Sequence, residues 1–294
     1  MNSSVAAAVQ SFIEQEKLPA DYADTVQTWF LPMAEQLLQK VAVSREPLIV
    51  GVSGCQGSGK STLAGLLVIL LRELMGLKSI NLSLDDFYLT HAQRQQLAAR
   101  VHPLLATRGV PGTHDIDLAV TTIEALKQPA PVAIPRFNKA LDDREAESRW
   151  PRLHGPMDVI ILEGWCLSIP EQDEAALQEA LNELESGEDP QGHWRAYVNQ
   201  ALKNDYHRLY DLIDYLIMLK APAFELVYQW RQQQEDKLAD RHTDLNHTRV
   251  MSRSQLKRFI QHYERLTRHG LLTLPARADV VFELSEQQTI LGRN

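Results

Sequence analysis

The sequence predicts an α/β fold, a mostly parallel doubly wound sheet between helical layers, and three observations carry that prediction. Short apolar, β-branched runs recur along the chain, separated by stretches of helical spacing. The runs at 157–163 (Met-Asp-Val-Ile-Ile-Leu-Glu) and 279–284 (Asp-Val-Val-Phe-Glu-Leu) have the unbroken apolar character of strands buried on both faces. Charged and polar side chains cluster just past the carboxyl ends of several runs, where such sheets hold ligands.

Residues 1–44 read as a helical extension packed on the core. Ala6, Val9, Phe12 and Ile13 make one apolar stripe; Val26, Trp29, Phe30, Met33 and Leu37 make another, and Pro19 and Pro47 punctuate them. Residues 45–294 read as the main domain, with strands near 48–52, 80–84, 131–135, 157–163, 215–220 and 279–284. Two long polar insertions, 86–115 and 136–156, exceed what a simple crossover needs. The acidic segment 171–190 reads as a solvated helix plus loop. A helix over 223–239, a loop over 240–251 and a second helix over 252–269 follow, with Leu256, Phe259, Ile260, Tyr263 and Leu266 on one stripe and Gly270 as C-cap.

The first strand leads into the most specific motif. Residues 54–61 read Gly-Cys-Gln-Gly-Ser-Gly-Lys-Ser, a full match to G-x-x-x-x-G-K-[ST], followed by leucines at helical spacing. In a loop of this kind backbone N–H groups turn inward around phosphate oxygens, the lysine reaches the β- and γ-phosphates, and the serine hydroxyl ligates Mg²⁺. Gly54, Cys55, Gln56, Gly57, Ser58, Gly59, Lys60, Ser61 and Thr62 are therefore expected to bind ATP, with Ser61 on the metal. The fold class narrows to a P-loop NTPase three-layer sandwich with extra N-terminal helices.

Other candidates fall where such a sheet would put them. The second strand runs into Asp85-Asp86-Phe87-Tyr88, and a carboxylate there can accept the proton of an attacking hydroxyl; capping of the next helix is the plainer alternative. Glu163, after the strand at 157–163, is placed to orient Mg²⁺. Residues 108–115 (Arg-Gly-Val-Pro-Gly-Thr-His-Asp) form a tight turn into a helix at Ile116, for which Asp115 can be the N-cap. Arg136, Asn138 and Lys139 follow another strand and suit a small anionic substrate. Arg231, Arg241, Arg249 and Arg253 surround the 240–251 loop, so a lid over the phosphates is expected near 231–253, with Arg231 on the nucleotide. His242, His247, His262 and His269 show no metal-ligand spacing.

A net charge of −8 over 294 residues argues against broad binding to nucleic acid or anionic membranes. Apolar residues at 44% and charged residues at 23% are ordinary for a globular protein. Two cysteines, Cys55 and Cys166, make no disulfide framework and point to a reducing cytoplasm. No run approaches the roughly 18 apolar residues of a membrane span, and no secretory leader is read.

The order of motifs resembles the plant and fungal D-glycerate 3-kinase group, within the phosphoribulokinase, uridine kinase and pantothenate kinase class of P-loop kinases. The resemblance spans roughly residues 45–285 and rests on the loop, Ser-x-Asp-Asp-Phe-Tyr, residues 108–115, Pro-Arg-Phe-Asn-Lys, Ile-Leu-Glu-Gly-Trp and Trp230-Arg231-Gln232-x-Gln234-Glu235. It implies that Asp85 is the catalytic base, that Lys60 and Glu163 complete the catalytic set, and that Glu163 assists Mg²⁺. It also implies acceptor contacts from His114, Asp115, Arg136, Asn138 and Lys139; Asp86, Tyr88 and Arg108 are expected to bind the acceptor as well. Phe137 stands where many relatives carry Tyr, and residues 140–148 and 171–205 follow no pattern of the group. The expected partner is a small hydroxy acid, most simply D-glycerate. The alternatives are a related kinase acting on pantothenate or a nucleoside, and a GTP-driven switch. For the switch, Asn138-Lys139-Ala140-Leu141-Asp142 is one residue longer than Asn-Lys-x-Asp and no Asp-x-x-Gly follows Glu163.

Overall fold

The structure, a computed structural model, describes residues 3–241 and 252–294, and their side chains except over 234–241. Three helices come first: α1 (Ser3–Glu16), α2 (Tyr22–Thr25) and α3 (Leu31–Val43). Then follow β1 (Leu48–Gly54), α4 (Lys60–Met75), β2 (Ser79–Ser83), a 3₁₀ turn over Leu84–Phe87, α5 (His91–Arg100) and α6 (Ile116–Leu126). Four short strands come next: β3 (Pro131–Ala133), β4 (Phe137–Asn138), β5 (Asp143–Arg144) and β6 (Arg152–His154). The rest comprises β7 (Val159–Gly164), α7 (Glu183–Glu188), α8 (His193–Ala201), α9 (His207–Tyr210), β8 (Tyr215–Lys220), α10 (Glu225–Arg241), α11 (Arg253–Thr273), β9 (Val280–Leu284) and β10 (Ile290–Arg293).

Six strands form the central sheet in the order β10-β9-β8-β1-β7-β2, all parallel except β10. From β1 the chain steps to β2 and β7 on one side, then returns to β8 and β9 on the other. The carboxyl end of β1 is thus the point where the winding reverses and a crevice opens. Alternate residues of the strands feed two cores: Ile160 and Leu162 of β7 face the layer holding α6 and α8, while Val159 and Ile161 face α1, α3 and α4. Val5, Val9, Phe12 and Ile13 of α1 and Met33 and Leu37 of α3 are buried in that second core, beside the leucines of α4.

Four local readings need correction. Residues 131–135 do not enter the central sheet; β3 pairs antiparallel with β6 instead. Pro131 and Pro135 bracket it, and a proline has no N–H for a two-sided ladder. The sheet's sixth strand is β10, whose partly exposed residues carry no apolar run to betray it. Gly270 does not cap its helix, which continues to Thr273 with Leu274 as C-cap. A Cβ on Gly270 would lie 2.7 Å from Ile169 Cδ1, so the glycine serves close packing. The acidic segment is not wholly solvated either: Glu185 of α7 is buried, and Arg265 of α11 donates to both its oxygens at 2.7 and 2.6 Å. A buried carboxylate is tolerable only with such a partner.

Candidate active site

The glycine loop sits at the reversal point between β1 and α4. Gly57 and Gly59 have φ of 83° and 89°, the left-handed region that turns successive N–H groups to one side and that a side chain would strain. Lys60 opens α4, so the loop ends on a helix N-terminus. Cys55 lies buried behind the loop, and burial pushes its thiol up to about 12, leaving it neutral. Oxygens on the loop and facing it lack partners among the described residues: Gln56 Oε1, Ser58 Oγ and Glu163 Oε2 are all buried without a hydrogen bond. Buried polar atoms are seldom left so unless a ligand or water completes them.

Glu163 ends the apolar run of β7, the strand next to β1, and is itself buried. Its Oε1 accepts from Ser61 Oγ at 3.0 Å. The pair fits a divalent cation held partly by phosphate oxygens: one hydroxyl, one carboxylate, and a second carboxylate oxygen without a protein partner.

Asp85 and Asp86 sit in the 3₁₀ turn after β2. Leu84 and Phe87 are fully buried and anchor that turn, which leaves the two carboxylates to face its polar side. They serve different ends. Asp85 accepts from Tyr88 Oη at 2.9 Å and from Lys139 Nζ at 2.7 Å. Burial alone would raise its pKa; the Lys139 ammonium, with help from Lys60, reverses this and holds the carboxyl at about 2. Asp86 instead accepts from Phe137 N at 3.0 Å and Arg136 Nη1 at 3.1 Å, pinning β4 to the turn.

A cavity of ≈ 370 Å³ joins these parts. Gln56, Gly57, Lys60 and Ser61 of the loop line it together with Asp85, Tyr88, Arg108, Lys139, Glu163 and Arg231. Of the other residues expected to bind the acceptor, Asp86, His114, Asp115, Arg136 and Asn138 are engaged behind this surface. Asp115 caps α6, accepting from Leu118 N at 3.1 Å, and pairs with Arg144 at 3.1 Å. Asn138 Nδ2 donates to Glu145 Oε1 at 2.7 Å, and its Oδ1 accepts from the N–H groups of Ala140 and Leu141, shaping the β4–β5 turn. His114 is buried, stacked 4.4 Å from the Tyr88 ring and bonded through Nδ1 to Tyr206 Oη. Burial lowers its pKa to about 3, so the ring is neutral. Of the lid arginines, Arg241 and Arg253 are at helix ends, and Arg249 lies outside the described residues, as do His242 and His247.

Sequence reading missed an aromatic wall: Trp165, Phe259 and Tyr263 line the cavity too. Phe259 and Tyr263 read simply as part of the α11 stripe. The one available signal was Gly109, whose φ of 137° and close approach to Tyr263 exclude any side chain there. Tyr263 Oη donates to Arg108 O at 3.2 Å and Trp165 Nε1 to Gly109 O at 2.9 Å, so both rings brace the turn that carries Arg108.

Comparison with known proteins agrees with this geometry. Residues 49–172 match the phosphoribulokinase / uridine kinase family. The chain is 34% identical over 232 residues to an uncharacterized kinase of Schizosaccharomyces pombe, covering 74% of this chain and 78% of that protein. It is 35% identical over 200 residues to the chloroplastic D-glycerate 3-kinase of Arabidopsis thaliana, covering 64% of this chain but only 41% of the plant protein. The solved D-glycerate 3-kinase of Cryptococcus neoformans superposes with a TM-score of 0.74 at 26% identity, over 90% of this chain and 97% of that one. The family match falls on the stretch that carries the loop, Asp85 and Glu163, and the yeast kinase is similar along most of its length; the chain belongs to the phosphoribulokinase / uridine kinase family.

Proposed function

We propose that the chain transfers the γ-phosphoryl group of ATP, with Mg²⁺, to the primary hydroxyl of D-glycerate, giving 3-phosphoglycerate. The observation that carries this reading is that Lys60, Asp85 and Arg108 line one cavity. It joins a phosphate cradle, a carboxylate and a guanidinium, the groups that phosphoryl transfer to a small hydroxy acid calls on. Its ≈ 370 Å³ is near the lower end of the roughly 300–1,000 Å³ typical of ligand pockets, and part of it must hold phosphate. The glycerate kinases among the similar proteins support the same acceptor.

In this mechanism Asp85 accepts a hydrogen bond from the acceptor hydroxyl and aligns it with the phosphoryl group. Its two partners, Tyr88 and Lys139, fix the carboxylate before substrate arrives. A weak base suffices, because a loose phosphoryl-transfer transition state needs positioning and charge neutralisation more than proton abstraction. Lys60 neutralises charge on the phosphoryl oxygens. Ser61 and Glu163 would hold Mg²⁺, which when bound would supply charge compensation to the phosphate groups. Among the described residues no group of three or more His, Cys, Asp or Glu forms an all-protein metal site, in keeping with a cation that shares its ligands with phosphate. Both cysteines are free and buried, which favours a reducing compartment such as the cytoplasm.

A nucleoside acceptor is the second reading, and the aromatic wall of Tyr88, Trp165, Phe259 and Tyr263 favours it. Those rings are already engaged within the protein: Trp165 and Tyr263 meet edge to face at 4.8 Å, Tyr263 packs on Phe259 at 5.0 Å, and Tyr88 stacks on His114 at 4.4 Å. ATP-dependent ADP release measured against D-glycerate, pantothenate and uridine separates the readings. Turnover of uridine or pantothenate without glycerate would overturn the proposal.

A further inference from the structure

The proposed acceptor carries a carboxylate, and resting on that reading we infer that Arg108 binds it, held in place by Asp142 and by the buried Arg94 behind Asp142. Tracing charge around the acceptor side of the cavity leads there. Arg136 is matched by Asp86, Arg144 by Asp115 and Lys139 by Asp85, each within 3.1 Å. Each of those pairs is neutral. At Arg108 the pairing differs: Asp142 Oδ1 accepts from Arg108 Nη1, while its Oδ2 lies 3.0 Å from Arg94 Nη2. Two guanidinium groups share one carboxylate, and the cluster keeps one positive charge. Arg108 is its member on the cavity.

Arg94 is inaccessible to solvent, and its fork is almost fully used. Nε donates to Leu89 O at 3.2 Å, Nη1 to Ala106 O at 3.0 Å, and Nη2 to the backbone carbonyl of Asp142. A buried cation with this many fixed partners is a rigid post. It holds both the main chain and the carboxylate of Asp142, which sits in the β4–β5 turn at φ 56°, a conformation aspartate tolerates better than most residues. Burial would raise the Asp142 carboxyl, but the two arginines keep it below the usual carboxylate range. Phe137 completes the seat: its ring centroid is 5.4 Å from the Arg108 guanidinium carbon and 5.8 Å from that of Arg94. Only one N–H of Arg108 is committed to Asp142, so the rest of the fork can meet a carboxylate in a fixed plane. His91, whose Nδ1 is 3.5 Å from Asp142 Oδ2, and Asp143, whose Oδ1 accepts from His91 N at 2.9 Å, are further titratable neighbours at this turn.

Arg108 would therefore select an acid over a neutral alcohol, and Asp142 and Arg94 are positioning residues that act through it. The test is a double-mutant cycle with Asp142→Asn and Arg108→Ala, read as KM for D-glycerate and for ATP. Asp142→Asn should raise KM for glycerate about tenfold, as expected when a charge-assisted contact is loosened, and leave KM for ATP unchanged. In the Arg108→Ala background the same change should add nothing to KM, although thermal stability falls in both backgrounds. Equal effects on both substrates, or an effect undiminished without Arg108, would overturn the inference while leaving the proposed function standing. If Asp142→Asn does not fold, Arg108→Lys decides, because it leaves the buried pair intact: a raised KM for glycerate alone supports the inference and an unchanged one overturns it. No turnover of any small hydroxy acid by the intact enzyme would remove the proposed function and this inference together.

Discussion

Lys139, in the β4–β5 turn, places its ammonium 2.7 Å from Oδ2 of Asp85. The carboxylate proposed to receive the acceptor hydroxyl is thus held ionised by a side chain that is itself 63% exposed. Because the folded-state pKa lies below the ordinary value of about 3.9, the ionised form favours the folded protein above roughly pH 4. That contribution is lost as pH falls towards 2. The same pairing keeps the base available throughout the neutral range.

Replacing Lys139 with Ala should move the acid limb of kcat/KM to higher pH. Burial, the largest influence on Asp85, would then act without its main counterweight and raise the pKa. A pH–rate profile of the two proteins is the check. An unmoved limb would mean that Lys139 does not set this ionisation.

Asp85→Asn should lower kcat strongly with little change in ATP affinity, because Asp85 is proposed to meet the acceptor and the loop to hold the nucleotide. Steady-state kinetics with a nucleotide-binding titration tests this. Loss of nucleotide binding would give Asp85 a metal role instead.

Lys60→Ala should reduce kcat by about 10²–10³, the typical loss when one preorganised electrostatic contact to the transferring group is removed. ADP release under saturating substrates measures it. Near-normal turnover would overturn the assignment of the loop.

Glu163→Gln keeps the shape of the side chain and removes the charge beside Ser61. The Mg²⁺ concentration for half-maximal activity should rise about 10–100-fold, the range seen when a group orienting a metal is altered. A Mg²⁺ titration that superposes on that of the unaltered enzyme would place the cation elsewhere.

Gly109→Ala should lower stability by about 1–3 kcal/mol through backbone strain alone, since φ is 137°. The added Cβ would also fall 2.1 Å from Tyr263 Oη and displace the ring that braces Arg108. Thermal unfolding gives the first effect, and a raised KM for the acid gives the second.

What was legible in the sequence depended on whether function and local structure share a short segment. The glycine loop is one: its turn, its lysine and its helix start are consecutive residues, and the structure places them as the spacing implied. Glu163 was legible for a related reason, since an acid closing an unbroken apolar run is costly to bury without a partner and so stands out. Arg136 read as part of a site for a small anion because a cation follows a strand, but its partner Asp86 stands 50 positions earlier and only folding brings the two together. Asp142 and Arg94 were invisible for the same reason, being 48 positions apart. β3 read as a central strand because apolar content outweighed its flanking prolines.

The helices of residues 3–43 have a consequence for how the chain folds. Phe30 packs edge to face on Phe282 of β9 at 5.6 Å, and Gln36 meets Arg293 of β10. Contacts between positions so distant in sequence are slow to form, because the chain between them must be ordered first. Until β9 and β10 join the sheet, part of the apolar side of this layer stays open to misassociation, which makes it the point where a chaperone would most affect yield.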